Sequence, residues 1–235
     1  MKYFLDLHCH TSFSFDCLAS PASQVRAAAA RGLTHLAITD HDRIEGALRA
    51  RDAAPEELTV IVGEEIKTAD GDLVALFLER GVAPGLSARA TIDEVRAQGG
   101  LVGIPHPFDR YRGSMLNDPK LEAIGRMVDW VEAHNARVVG GSGNERAAAF
   151  AVELGLPGVA ASDAHSTLEV GVAINVVTVD PSTPGGLLAA LTNVELVRGR
   201  ASYIVRTLTP ISKLVNRARG NRRVQPPPAG SGPAA

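Results

Sequence analysis

Five of the chain's seven histidines lie in four short polar clusters between residues 6 and 165. The clusters are Asp6-Leu7-His8-Cys9-His10, Thr39-Asp40-His41-Asp42, Ile104-Pro105-His106-Pro107 and Ser162-Asp163-Ala164-His165, with the acidic pair Glu64-Glu65 between the second and the third. Imidazole and carboxylate groups are the ligands that bind zinc, manganese and iron in proteins. We therefore expect one metal site assembled from the ends of several strands, as in barrel enzymes.

The spacing within two of the clusters places polar side chains on one face of an extended strand. His8 and His10 are two residues apart, so both side chains project from the same side. That spacing alone is a weak signal, because one packed and one exposed histidine would also produce it. Asp163 and His165 repeat it near the other end of the domain, which strengthens the metal interpretation. Glu65 could bridge two metals through its two oxygens.

Hydrophobic runs and turn residues predict the elements that must position these clusters. Expected strands cover residues 2–8, 35–39, 59–62, 72–78, 101–104, 128–133, 158–161 and 171–179, and expected helices cover 21–31, 43–53, 91–98, 145–154, 184–192 and 203–218. This alternation indicates an α/β fold with a mainly parallel sheet, open or closed. The clusters recur at the C-terminal ends of expected strands, where ligands gather in such sheets.

The composition is that of an ordinary globular chain. Its 235 residues are 45% hydrophobic and carry a formal net charge of −2, so no overall basic field favours nucleic acid. No apolar run reaches the ~18 residues of a membrane span, and the N-terminus lacks the features of a secretory signal. We expect a cytoplasmic protein without a membrane partner. The two cysteines, Cys9 and Cys17, are expected to be structural.

The chain is expected to form one catalytic domain over residues 1–220, followed by a disordered tail over residues 221–235. After Gln225 the sequence consists only of Pro, Gly, Ala and Ser. These residues cannot build a hydrophobic core, which is why we expect disorder. The sequence does not indicate an oligomeric state.

Taken together, the clusters resemble the PHP (polymerase and histidinol phosphatase) superfamily of metal-dependent phosphoesterases. The matching segments occur in the family's order and are residues 6–11, Asp16, 38–42, 63–66, 104–108 and 161–165. No single motif is specific, but the set is. The resemblance implies a distorted seven-stranded (β/α) barrel with two or three divalent metals, manganese, zinc or iron, at the C-terminal ends of the strands.

The resemblance also implies which side chains hold the metals. The first metal would be held by His8, His10, Glu65 and Asp163, the second by Glu65 and His106, and the third by Asp16, His41 and His165. The residues expected at the centre of catalysis are His8, His10, Glu65, Asp163 and His165.

The chain departs from the family pattern at Asp72. Residues 71–76 read Gly-Asp-Leu-Val-Ala-Leu, where the family usually has a histidine ligand in a stretch such as Gly-His-Leu-Leu-Ala-Leu. An aspartate could still bind the second metal, and would then favour manganese or iron over zinc. Equally, it could be a hairpin residue without a metal contact. Both readings remain open at this point.

The activity that the resemblance implies is hydrolysis of a phosphate ester by a metal-activated hydroxide. The ester would be a monoester or diester of a small molecule or nucleotide, and no stable complex with nucleic acid is expected. An arginine can grip phosphate through two parallel hydrogen bonds. The candidate substrate contacts are Arg110, Arg112, Arg137 and Asn135.

Two other functions are compatible with parts of the pattern. An amidohydrolase-like C–N hydrolase also uses H-x-H on a first strand and a late aspartate, but those barrels usually need a carboxylated lysine on a middle strand. Lys67 is the nearest lysine and follows the acidic pair. A degenerate PHP module used for binding or as a scaffold is the non-enzymatic alternative. Against it stands a ligand set that is nearly complete.

Overall fold

Nine strands form a single sheet in the computed structural model, which describes residues 1–109, 120–140 and 142–223. The strands are β1 (Tyr3–Asp6), β2 (His35–Ile38), β3 (Thr59–Thr68), β4 (Gly71–Leu76), β5 (Leu101–Ile104), β6 (Trp130–Asn135), β7 (Gly158–Ala161), β8 (Ile174–Val177) and β9 (Glu195–Val197). The helices are α1 (Pro21–Ala30), α2 (Glu45–Asp52), α3 (Ala88–Arg96), α4 (Lys120–Gly125), α5 (Gly143–Leu154), α6 (Pro184–Leu191), α7 (Tyr203–Arg206) and α8 (Leu208–Ala218).

The sheet is mixed and has the spatial order β7-β6-β5-β4-β3-β2-β1-β8-β9. Four pairs are parallel, whereas β4 runs antiparallel to both of its neighbours and β8 runs antiparallel to β1 and β9. The α/β class is confirmed, but the expected seven strands are corrected to nine among the described residues. The short strand β9 has two exposed residues and no apolar run, so a pattern of hydrophobicity could not reveal it.

The sheet curls into a nearly closed barrel, and side chains join its seam between β7 and β8. The side-chain amide of Asn175 on β8 accepts from the backbone N–H of Ala160 at 2.9 Å and donates to its carbonyl oxygen at 2.7 Å. The carboxylate of Asp6 at the end of β1 accepts from the backbone N–H groups of Ser162 and Gly171 at 3.2 and 2.9 Å. Buried backbone groups need such partners, so these side chains replace a missing strand pairing.

The hairpin of β3 and β4 is longer than the sequence predicts. The polar pair Glu64-Glu65 marked the expected end of β3, yet β3 continues to Thr68 because it pairs with β4 from Gly63 to that residue. Successive strand residues face opposite sides. Glu65 therefore faces the polar cavity, whereas Glu64 accepts from the backbone N–H of Val82 at 2.9 Å.

Alternate residues of the strands belong to two hydrophobic clusters, as expected for a sheet that is covered on both faces. Leu36 and Val60 pack in a cluster that includes residues of α1 and α2. Ala37 and Ile61, one position further along the same strands, pack in a second cluster with Leu187 of α6. The described residues include no helix whose length and apolar character would let it cross a membrane.

The packed domain extends past residue 220, which corrects the expected start of the tail. The side-chain amide of Asn221 donates to backbone oxygens of residues 12–14 at 3.2 to 3.4 Å. Arg223 forms ion pairs with two buried aspartates. Composition did not reveal these contacts because they are made by single polar side chains. Residues 224–235 lie outside the described residues.

Replacing Asn175 by alanine should destabilise the protein by about 2–4 kcal/mol, because the buried N–H and C=O of Ala160 each lose a partner at a cost of roughly 1–3 kcal/mol. The free energy of unfolding in urea, measured on metal-stripped protein, tests this expectation. The exposed Asn193 provides a control, since Asn193→Ala should change stability by less than ~0.5 kcal/mol. Similar stability of the two variants would show that other contacts close the seam.

Candidate metal centre

Four buried side chains converge on one point, at the end of the barrel where the parallel strands have their C-terminal ends. The Nε2 atoms of His8 and His10 lie 3.0 Å apart, and each is 3.4 Å from Oε2 of Glu65. Oδ1 of Asp163 lies 3.9 Å from Nε2 of His8 and 3.5 Å from Nε2 of His10. Two imidazole nitrogens and two carboxylate oxygens at this separation have the chemistry and spacing of a four-coordinate metal site.

A second group of side chains lies beside the first. Nitrogen atoms of His10, His41 and His165 lie within 4.8 Å of one another. Oδ2 of Asp16, from the loop that follows β1, lies 3.5 Å from Nε2 of His41 and 3.3 Å from Nε2 of His165. These residues can surround a further cation, and they include the three that are expected to hold the third metal.

Glu65 connects the polar groups. Its Oε2 lies 3.0 Å from Nδ1 of His41, in addition to its contacts with the first group, while its Oε1 lies 3.3 Å from Nε2 of His106. A carboxylate whose oxygens face different imidazoles can bridge metals. Its place at the centre follows from β3, whose extension into the hairpin brings the side chain between β2 and β4.

Backbone conformations at the site are unusual. Among the residues with positive φ other than glycine, His106 has φ 28° and Asp163 has φ 52°, and Asp42 nearby has φ 56°. Residues with a Cβ rarely adopt this region, and each such case costs roughly 1–3 kcal/mol unless the surroundings enforce it. Two expected ligands are thus held in strained positions by the strand ends that carry them.

Hydrogen bonds fix the tautomers of three rings. Nδ1 of His8 lies 2.6 Å from Oε1 of Glu132, which can only accept, so Nδ1 carries the proton. Nδ1 of His165 donates to the carbonyl oxygen of Asp163 at 2.8 Å. When these two rings are neutral, their Nε2 lone pairs are therefore left for a metal.

The third ring, His10, is oriented by a hydroxyl relay. Nδ1 of His10 lies 3.0 Å from Oγ of Ser14, and that hydroxyl donates to Oδ1 of Asp40 at 2.6 Å. Since the hydroxyl proton goes to Asp40, Ser14 must accept from His10. Asp40 also accepts from the backbone N–H and the hydroxyl of Thr11, both at 2.6 Å. Asp40 thus supports the site from behind the ligands, as metal-binding histidines usually require.

Glu132 is a residue of the site that the sequence analysis missed. Besides holding His8, it accepts at Oε2 from the backbone N–H of His106 at 3.0 Å and from the amide of Asn135 at 2.9 Å. A bulge in β6 between Glu132 and His134 breaks the alternation and lets residues 132 and 135 face the same side. The only signal in the sequence was an acidic residue close to His134 and Asn135.

Two expected substrate contacts are engaged within the protein. Asn135 is fully buried, and its amide also donates to Oδ2 of Asp163 at 3.0 Å, so it orients two carboxylates. Arg137 lines the cavity but donates to Glu169 and to Thr209, both at 2.6 Å. Arg110 and Arg112 lie outside the described residues.

The predicted ligand Asp72 has a partner that the sequence did not suggest. It lines the same cavity as Glu65 and His106, but its Oδ1 accepts from Nη2 of Arg223 at 2.9 Å. Its role as a ligand stays a prediction. His134 is not among the residues that line this cavity, and its Nε2 donates to the carbonyl oxygen of Gly199 at 2.7 Å.

Burial and close packing shift the pKa values of the site. Burial opposes the charged form of His8, but the carboxylates of Glu132 and Glu65 outweigh it and raise the pKa of His8 to about 10. Burial and the neighbouring imidazoles of His165 and His41 hold the pKa of His10 well below its usual value. Burial raises the pKa of Glu65, yet the surrounding histidines keep it well below the usual range.

The donor set fits divalent metals. Within the described residues, buried Oδ1 of Asp16 and Nδ1 of His106 have no hydrogen-bond partner, although burial makes such an atom costly. Mixed nitrogen and oxygen donors suit zinc, manganese and iron. The residues that could hold them are the expected ligands described above.

The sequence matches the model of the PHP domain over residues 6–115 and that of a PHP-associated domain over residues 141–195. The chain belongs to the PHP family. This confirms the resemblance that the histidine clusters indicated. Members of the PHP superfamily are metal-dependent hydrolases, and PHP domains bind several divalent metals.

Individual proteins and solved structures are similar to this chain. An uncharacterized protein of Methanocaldococcus jannaschii is 32% identical over 147 residues, which are 56% of this PHP chain and 81% of that protein. A two-domain protein of Bacteroides vulgatus that contains a predicted PHP-like metal-dependent phosphoesterase has a TM-score of 0.71 at 20% identity, over 85% of this chain and 65% of that one. A lesion-specific endonuclease of Pyrococcus furiosus has a TM-score of 0.60 at 14% identity, over 83% and 58% of the two chains.

These two structures are longer than the PHP chain, which spans less than two thirds of each. At such identities the likeness shows the fold alone, and it agrees with the barrel-like sheet described above.

Replacing Glu132 by glutamine should weaken metal binding by about 10–100-fold, because the ring of His8 loses the carboxylate that orients it. Competition with a chromophoric chelator measures this affinity. Glu122 on α4 is exposed and does not line the cavity, so Glu122→Gln should leave the affinity unchanged. Equal affinities in the two variants would show that His8 needs no carboxylate to bind metal.

Metal affinity should rise with pH, because His8 with a pKa of about 10 is protonated at neutral pH in metal-free protein. A metal can bind only the neutral ring, so binding releases a proton and tightens by about tenfold per pH unit for each proton released. Calorimetry in buffers of different ionisation enthalpy counts these protons. Absence of proton release at pH 7 would contradict the expected protonation of His8.

Proposed function

We propose that this PHP protein is a metal-dependent phosphoesterase that hydrolyses a phosphomonoester or phosphodiester of a small molecule or nucleotide. The observation that carries the proposal is the position of Glu65. Its Oε2 faces His8, His10 and His41, and its Oε1 faces His106. A single carboxylate at the junction of four imidazoles suits a multinuclear centre of the kind that acts on phosphate esters.

In this proposal the centre holds two or three manganese, zinc or iron ions. The proposed ligands are His8, His10, Glu65 and Asp163 for the first metal, Glu65 and His106 for the second, and Asp16, His41 and His165 for the third. Such metals supply Lewis acidity that activates water near neutral pH and offsets the charge of the phosphoryl group. The residues His8, His10, Glu65, Asp163 and His165 would act in catalysis by forming this centre.

The other side chains of the site keep the ligands in place. Glu132 and Ser14 hold the rings of His8 and His10 with Nε2 directed at the cavity. Asn135 ties the carboxylate of Asp163 to the same network. Orientation that exists before the substrate arrives costs nothing during the reaction, which is where enzymes obtain most of their electrostatic stabilisation.

The size of the cavity supports a small substrate. The cavity has a volume of about 250 Å³ and is lined by candidate ligands together with Phe15, Arg137 and Lys213. Pockets for small molecules typically measure roughly 300–1,000 Å³, so this one suits a phosphoryl group with a modest leaving group. The DNA lesion recognised by the endonuclease relative belongs to that protein, and we do not expect a stable nucleic-acid complex here.

His8→Ala and Asp163→Ala should each lower turnover of p-nitrophenyl phosphate or its bis ester by several orders of magnitude, since each removes a proposed ligand of the first metal. Chelation should abolish activity, and manganese, zinc or iron should restore it. Circular dichroism should show that the fold persists. Asp93 on α3 is exposed, and Asp93→Ala serves as a carboxylate control with unchanged turnover.

Two outcomes would overturn this proposal. Activity that survives both ligand substitutions would remove the centre from the mechanism, and hydrolysis of lactams or amides in place of phosphate esters would favour a C–N hydrolase. Metal analysis of protein purified without chelator adds a third test. Less than about one metal per chain would favour a binding module, because an intact ligand set should fill.

A further inference from the structure

Two cations from the C-terminal segment enter the cavity that holds the candidate metal centre. Lys213 lies on α8 and Arg223 lies five residues after its last residue, Ala218. Both line the cavity together with Glu65 and His41. The third cation of the cavity wall, Arg137, is engaged with Glu169 and Thr209. Among the described residues, Lys213 and Arg223 are the other two cations of this wall.

Arg223 is fixed by two aspartates. Its Nε donates to Oδ2 of Asp42 at 3.1 Å, and its Nη2 donates to Oδ1 of Asp72 at 2.9 Å. The side chain is 19% exposed, so the guanidinium is largely withdrawn from solvent. Within residues 1–109, 120–140 and 142–223, its hydrogen bonds come from Nε and Nη2, and none comes from Nη1. One arm of the guanidinium therefore keeps its donors for a ligand.

The ring of Phe15 lies near both cations and near one histidine of the metal centre. Nζ of Lys213 lies 5.3 Å from the ring centroid and Cζ of Arg223 lies 5.9 Å from it. The same ring lies 5.0 Å, between centroids, from the imidazole of His41. In the part of the chain that the structure describes, Lys213 has no carboxylate within ion-pair distance, so its charge is available.

We propose that Arg223 and Lys213 form an oxyanion subsite that grips the phosphoryl group of the substrate beside the metal centre, and that Asp72 positions Arg223 and is not a metal ligand. This inference rests on the proposed phosphoesterase function and assigns the residues that hold its substrate. Arginine offers a planar array of donors that matches phosphate, and lysine adds a mobile charge.

The ion pair also accounts for the aspartate at position 72. A neutral histidine at this position could bind a metal without adding a charge. An aspartate instead adds a second negative charge near the buried carboxylate of Glu65. A buried charge without a partner is costly, and Arg223 supplies the partner. Asp72, which replaces the family's histidine, and Arg223 from the C-terminal segment are therefore two halves of the same ion pair.

The test measures binding of inorganic phosphate to the metal-loaded full chain by calorimetry, together with metal content and KM for p-nitrophenyl phosphate. Arg223→Gln should weaken phosphate binding by about tenfold or more, because it removes a charge-assisted hydrogen bond in a sheltered site. Lys213→Gln should weaken it by roughly two- to fivefold, with the difference shrinking at high salt. Arg219→Gln, at the exposed residue that follows α8, should have no effect.

A double-mutant cycle separates the two roles of Asp72. As a positioning residue, Asp72→Asn should weaken phosphate binding by a few fold with metal content unchanged, and it should have no further effect in an Arg223→Gln background. Loss of a bound metal in Asp72→Asn would show instead that Asp72 is a ligand and overturn this part of the inference. Should Arg223→Gln fold poorly, Lys213→Gln still tests the subsite, because Lys213 is exposed.

The outcomes distinguish the subsite from the proposed function. Phosphate affinity that falls in Arg223→Gln and Lys213→Gln, in a protein that hydrolyses no phosphate ester, would support the subsite and reject the function. Hydrolysis with unchanged phosphate affinity and unchanged KM in both variants would reject the subsite and leave the function standing.

Discussion

Burial of many ionisable groups in one small cavity is the constraint on which the structure depends. An unpaired buried charge is strongly unfavourable, so each imidazole and carboxylate must face a partner or a metal. The fold meets this need with side chains that do not themselves face the metal positions, such as Glu132 behind His8 and the Ser14–Asp40 relay behind His10. Without such partners, the same residues would favour an open or unfolded site.

The mixed topology of the sheet follows from the same requirement. A purely parallel barrel would end β3 near the acidic pair, but the β3–β4 hairpin carries Glu65 across the centre of the cavity, between the imidazoles of His41 and His106. The positive φ angles of His106 and Asp163 show that the adjoining strand ends are bent to complete the cluster. Backbone strain is thus concentrated where several strands must deliver ligands to one point.

Some residues of the site can be predicted from the local sequence pattern. Others are positioned by contacts with residues that are distant in the sequence, and these cannot be predicted in that way. Two-residue spacing identifies the pairs His8/His10 and Asp163/His165, and hydrophobic runs predict that both pairs lie at strand ends. Glu132 meets His8 across 124 positions, and its orientation depends on a bulge that leaves no mark in composition. For the same reason the sequence named Asn135 as a substrate contact, whereas its amide is used within the protein.

The C-terminal segment shows where reasoning from composition fails. Proline and glycine after Gln225 indicate a chain that cannot form a core, but Asn221 and Arg223 need no core because hydrogen bonds and ion pairs hold them. Holding Arg223 there occupies an oxygen of Asp72. On the proposed assignment, the metal position beside His106 then draws only His106 and the shared Glu65 from the described ligand residues. With only those two protein ligands, the second metal would be held less firmly by the chain than the first, and it would supply Lewis acidity beside the anion that Arg223 helps to bind.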